Sequence, residues 1–311
     1  VRSPFTCIAH SMWVGRVNEV WSMETIKQGD IVARRSYQGD IFFKVMEVLF
    51  EDRGKAVAIL KGLDVRLLAD APLSDLRRVQ PKELRSYREN LLKRNADCFR
   101  RISQRQHLVR QQAVHEIAVN DGDRDFFELP GKVLHLDGDP DYLEFCLSAY
   151  KQLGVIAEGV KVPEEKQSEQ VGELIRGHSP DILVLTGHDA LLKEALTLSD
   201  PASYRNTPYF LQAVKAARRL QPSRDELVIF AGACQSNFEA IIDAGANYAS
   251  APKRVLIHCL DPVFIAEAVA FTPVSQFIDL PELISSTITG KNGIGGVETR
   301  GKFRLGFPRA G

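Results

Sequence analysis

Apolar and polar positions follow three different rhythms along this chain. Over residues 29–79 the apolar runs are short and interrupted by turn residues. Runs at 30–34, 41–50, 55–61 and 65–70 read as β-strands, with Gly39, Gly54 and Gly62 at the breaks. Four or five such strands within about 50 residues predict a small β-barrel of the SH3 or KOW type. It holds no catalytic constellation, so a docking or stabilising part is expected there. Residues 81–120 are polar and rich in Arg and Gln, with Leu84, Tyr87, Leu91, Leu92, Ala96 and Phe99 at helical spacing. One or two exposed helices are expected, serving as a linker. Its Arg100, Arg101, Arg105 and Arg110 read first as a solvated face, and such an exposed basic linker is also a place where a protease could cut itself.

From residue 126 onward, strand-like and helix-like segments alternate. Strands are expected at 132–137, 155–160, 181–186, 226–230, 248–250 and 254–259. Helices are expected at 139–153, 163–176, 207–220, 235–244 and 262–270. The runs at 181–186 and 226–230 are apolar throughout, as in strands buried on both faces. The fold class expected is therefore α/β: a parallel sheet with helices on both faces, of caspase-like or flavodoxin-like layout, preceded by the small barrel. The expected divisions are an extension at 1–22, the barrel at 23–80, the linker at 81–125 and the α/β unit at 126–311. Segment 1–22 has no usable periodicity and lacks the order of a signal peptide, so Met23 is read as the native start.

Composition narrows the function. Forty Lys plus Arg balance forty Asp plus Glu, which gives no support for nucleic acid or membrane as the main partner. The five cysteines, Cys7, Cys98, Cys146, Cys234 and Cys259, are scattered and form no CxxC pair, which argues against a disulfide framework or a structural zinc site. No cofactor is expected.

Two segments carry candidate chemistry. Residues 181–189 run from an apolar strand into Thr186, Gly187, His188 and Asp189, and residues 226–236 run from another into Gly232, Ala233, Cys234, Gln235 and Ser236. Reacting groups in open α/β sheets lie beyond the carboxyl ends of the strands. Cys234 is the candidate nucleophile, its thiol expected to be acidified by a following helix N-terminus, and His188 is the candidate base. The backbone N–H groups of Gly187 and Gln235, or of Cys234, are candidate oxyanion donors. Asp137, Asp139, Asp189 and Asp261 would gather at the same edge. Asp137 and Asp189 are candidates for binding a Lys or Arg side chain of a substrate. Helix capping is the expected use of Asp139 and Asp261. His135 with Asp137 and Asp139 would be the core of a metal-assisted alternative, and a non-catalytic scaffold is a further one. His258 beside Cys259 is no dyad, because adjacent strand residues face opposite ways. The Gly-rich stretch at 291–301 reads as a mobile loop near the active edge.

Six stretches together resemble the YabG family of sporulation-specific proteases. They lie at 29–37, 130–139, 180–190, 227–236, 244–250 and 295–301, and the resemblance extends over about 28–308. It implies a cysteine endopeptidase, with Cys234 in the Gly-Ala-Cys-Gln-Ser motif as nucleophile and His188 in the Thr-Gly-His-Asp motif as base. It also implies spore coat and coat-associated proteins as substrates, cleavage near basic residues, and action in the mother-cell cytoplasm and spore coat.

Overall fold

A computed structural model of the chain describes residues 26–50, 56–121, 127–192 and 197–307. The extension expected at 1–22 lies outside the described residues. Among the described residues, the N-terminal part is a five-stranded antiparallel sheet: β1 (Ile31–Arg34), β2 (Phe42–Phe50), β3 (Ala56–Gly62), β4 (Leu68–Pro72) and β5 (Leu76–Arg78), in the order β4-β3-β2-β1-β5. Alternating residues Val32, Phe43, Val45, Ala58, Leu60 and Ala71 close its core, as the period-2 pattern requires. The strand expected from residue 65 begins later, at Leu68. Val65 and Arg66 leave this sheet to meet the rest of the protein.

Residues Pro81–Asp121 form one long helix, α1. Pro at its first position suits a site where no N–H partner is needed. Most of the described side chains of α1 before residue 110 are exposed or half-buried, as expected, while Cys98 and Ile102 are buried in the main hydrophobic core. A short strand β6 (Phe127–Leu129) then leads into the α/β part.

There the chain alternates as expected: β7 (Val133–Asp137), α2 (Pro140–Gln152), β8 (Ala157–Lys161), α3 (Glu164–His178), β9 (Ile182–Thr186), α4 (Thr207–Leu220), β10 (Val228–Ala231), α5 (Phe238–Asp243), β11 (Tyr248–Ser250), α6 (Asp261–Phe271), α7 (Leu280–Ser286), β12 (Ile294–Gly296) and β13 (Arg304–Gly306). Strands β7 to β11 are parallel, β12 runs antiparallel at one edge, and the order is β12-β11-β10-β9-β7-β8. Side chains leave the central strands alternately into two cores. Ile182, Val184, Val228 and Phe230 pack with α2, α6 and α1 on one face. Leu183, Leu185, Ile229 and Ala231 pack with α3, α4 and α5 on the other. This two-sided burial explains why the strands read as continuous apolar runs.

Three expectations are corrected. Residues 254–259 form no ladder strand; His258 makes only an isolated antiparallel bridge, and its partner is Val65. The Gly-rich stretch is not a free loop, since Ile294–Gly296 adds a strand beside β11. The helix after Cys234 starts at Phe238, capped by Asn237, and not at Gln235. The strand order places β7 next to β9, with β8 outside it, so successive crossovers diverge from β7. A crevice opens at the carboxyl ends of β7 and β9 at such a point.

Candidate active site

His188 lies just beyond β9, and Asp139 just beyond β7. The His188 Nε2 is 2.9 Å from Asp139 Oδ2, and both residues are buried. Asp139 also caps α2, accepting from the amides of Asp141 and Tyr142. One carboxylate thus starts the helix and fixes the imidazole. The Tyr142 ring packs beside His188 at 5.6 Å between centroids. The His188 main-chain amide donates to Glu164 Oε1 at 2.6 Å. Glu164 reaches that amide over Gly187, where a Cβ would come within 2.1 Å of the carboxylate, so Gly is required for this approach. Burial raises the Glu164 pKa despite the donated amide. The His188 Nδ1 is buried and has no hydrogen-bond partner.

Cys234 follows β10. Residues Ala231 and Leu185 are paired across β10 and β9, and Cys234 and His188 each lie three positions beyond them, past the carboxyl ends of neighbouring parallel strands. The two side chains share no hydrogen bond. Cys234 Sγ accepts from the Ile257 amide at 3.2 Å. It is fully buried, and burial pushes its thiol pKa up to about 12. The expected acidification fails for a geometric reason: the next helix starts four residues further on, at Phe238, and no helix end meets the sulfur.

The acidic edge is filled from the N-terminal sheet. Lys61, the penultimate residue of β3, places its Nζ 2.6 Å from Asp139 and 2.7 Å from Asp141. Arg66 is wholly buried, with Nη1 2.5 Å from Asp137 Oδ2. Its other terminal nitrogen lies 3.3 Å from both Cys146 Sγ and the Cys259 carbonyl. Burial alone would neutralise either partner, but the mutual attraction outweighs it: Arg66 is held above its ordinary pKa and Asp137 below its own. Asp137 further accepts from Thr186 Oγ1 at 2.9 Å and from the Asp139 amide at 2.9 Å. His135 is buried behind it against Thr186 at 2.6 Å, and desolvation lowers its pKa.

The remaining candidates divide. Asp189 accepts from the amides of Ala190 and Asn206 and from the hydroxyls of Thr207 and Ser236. Its carboxylate is used up in bracing the segments after β9 and β10, not in facing the crevice. Gln235 adopts a positive φ of 60°, and its amide donates to the Val255 carbonyl at 3.1 Å, so this expected oxyanion donor is engaged elsewhere. The amides of Gly187 and Cys234 make no such bond among the described residues. Asp261 does not cap α6; it accepts from the Ile288, Thr289 and His258 amides, and burial pushes its pKa up to about 6.

Residues 27–308 match the YabG peptidase U57 family. The chain belongs to the YabG peptidase family. It is 43% identical over 281 residues to the sporulation-specific protease YabG of Bacillus subtilis (strain 168), covering 90% of this chain and 97% of that protein. As a peptidase, it acts on proteins. No described helix is long and apolar enough to cross a membrane. The sequence motifs pointed to Cys234 and His188 and left Lys61, Arg66, Tyr142 and Glu164 unnoticed. Nothing local marks these four, since each reaches the crevice from an element remote from the two motifs.

Proposed function

We propose that this peptidase is a cysteine endopeptidase in which Cys234 Sγ attacks the scissile carbonyl and His188 moves the proton. The observation that carries this reading is that the two residues follow directly on neighbouring parallel strands, with Asp139 holding one imidazole nitrogen and the other left without a partner. With Nε2–H on the neutral ring donating a hydrogen bond to the Asp139 carboxylate, the lone pair of His188 sits on Nδ1. That nitrogen takes the thiol proton as sulfur adds to the carbonyl carbon. The amides of Gly187 and Cys234 are the donors available to the oxyanion. Collapse expels the amine, which receives the proton from His188, and water then cleaves the thioester with the same base. Asp139 steadies the imidazolium throughout.

Spore coat and coat-associated proteins are the proposed substrates, in the mother-cell cytoplasm and on the forming coat, cut beside basic residues. Membership of a family with a sporulation-specific relative supports the first part, and a guanidinium already seated on Asp137 supports the second. The metal-assisted alternative finds Asp137 and Asp139 already neutralised by Arg66 and Lys61. The test is co-expression of an Arg-rich coat protein with wild type, Cys234→Ala or His188→Ala, reading product termini by mass spectrometry. Wild type should cut after Arg or Lys, and both folded variants should be silent. Continued cutting by Cys234→Ala would remove the cysteine mechanism.

A further inference from the structure

Residues 64–66 lie against residues 257–259 as an added antiparallel strand. The Cys259 amide donates to the Asp64 carbonyl at 2.9 Å, and the Arg66 amide points at the Ile257 carbonyl at 3.4 Å. Val65 and His258 form the bridge between them. The Ile257 carbonyl that faces the Arg66 amide also lies 3.7 Å from Cys234 Sγ, and the Ile257 amide donates to that sulfur at 3.2 Å. The Arg66 side chain fills a closed pocket made by Asp137, Cys146 and the Cys259 carbonyl, with the Tyr142 ring 5.4 Å from its guanidinium carbon. Tyr142 clamps the segment, its hydroxyl oxygen lying 2.6 and 2.7 Å from the carbonyls of Gly62 and Val65, either of which can take its one proton.

Main-chain pairing to a free edge, plus a pocket for one side chain, is how proteins hold extended peptides. Here the pairing, the pocket and the candidate nucleophile converge on one residue. We propose that segment 64–66 occupies the substrate channel of this peptidase as a built-in substrate mimic. On this assignment residues 257–259 are the edge that pairs with a substrate's main chain, and Asp137 is the group that reads an arginine side chain just before the cut. This rests on the cysteine reading above.

The mimic is held in a form unsuited to cleavage. A substrate runs extended through its scissile bond, whereas the Leu67 amide folds back onto the Val65 carbonyl at 2.8 Å and turns the chain at Arg66. Beyond the turn, Leu67 and Gln235, the residues next to Arg66 and Cys234, line a cavity of about 320 Å3 with Leu256 and Phe43. An arginine-bearing segment of a protein substrate has to displace Arg66 from Asp137 before it can enter. The segment therefore restrains activity and sets the side-chain preference through the same contacts.

The test compares wild type, Arg66→Ala and Tyr142→Phe in the full chain. Each is labelled with a biotinylated dipeptidyl acyloxymethyl ketone ending in arginine, and with the same probe ending in norleucine, and the site is mapped by mass spectrometry. Both variants should label at Cys234 at least tenfold faster than wild type with the arginine probe, and with less gain for norleucine. Agmatine, a free guanidinium ligand, should slow labelling of Arg66→Ala and raise its Tm, with no effect on wild type. Tyr142→Phe keeps the Arg66–Asp137 pair, so it carries the test if Arg66→Ala does not fold. Equal labelling of Cys234 in all three proteins, with no response to agmatine, would overturn the proposal and leave the cysteine reading standing. Absence of labelling at Cys234 in every variant, with agmatine still raising the Tm of Arg66→Ala, would sink the cysteine mechanism and keep the arginine pocket.

Discussion

Burial decides the state of Cys234 in the closed molecule. A thiol with its pKa pushed up to about 12 is protonated at neutral pH, so its reactivity must rise with pH. Below that pKa the thiolate fraction grows about tenfold per pH unit. Iodoacetamide labelling of Cys234 in the native protein, mapped by mass spectrometry, should therefore be very slow at pH 8 and climb steadily to pH 11. A plateau below pH 9 would mean that the sulfur is solvated and the closed channel is wrong. The same residue marks how far local reading carries. The motif around Cys234 was legible because a reactive side chain after an apolar strand has few structural uses. Its raised pKa was not legible, because it comes from burial, which only the fold imposes and which the Ile257 amide and Arg66 only partly oppose.

At the scale of elements, Asp189 is the tie that keeps three segments in place. It joins the end of β9, the start of α4 and the turn after β10 through two amides and two hydroxyls. Asp189→Ala strands those donors and should cost about 3 kcal/mol, since buried bonds to a charged acceptor are among the stronger ones. Urea unfolding would read this as a lower midpoint at unchanged slope, and an unaltered midpoint would refute the bracing role. Helix α4 was legible to its ends at Thr207 and Leu220, because a strong amphipathic period and Pro208 in its first turn mark it locally. Residues 254–259 misled for the opposite reason: an apolar run suits a strand, but whether it joins a ladder depends on the neighbour available. The neighbour is segment 64–66.

Across the whole molecule, ion pairs buried at the junctions hold the N-terminal sheet and α1 to the α/β sheet. Arg105 of α1 pairs with Glu267 of α6, which is wholly buried and also receives Gln106 at 2.7 Å. Burial raises the Glu267 pKa, with Arg105 opposing the shift. Arg105→Ala leaves that carboxylate without its cation and should destabilise by about 3–5 kcal/mol, whereas the double change Arg105→Met with Glu267→Leu should recover most of the loss. Chemical denaturation of the two variants distinguishes them, and an equal loss in both would show that packing, not charge, makes the junction. How α1 docks was not legible at the scale of the helix alone. A polar helix with a sparse apolar stripe looks solvated until Cys98 and Ile102 meet the core.

The sequence by itself determined the alternation of strands and helices, the two-faced parallel sheet and the delivery of Cys234 and His188 to one edge of it. Those follow from periodicity and from short-range capping and turn chemistry, which act between near neighbours in the chain. Tertiary structure alone decided what fills the edge. Lys61 and Arg66 lie 78 and 71 positions from Asp139 and Asp137. Pairings over such distances are set by how the two sheets dock, because a buried charge is stable only opposite its partner, and no local pattern records which partner that will be.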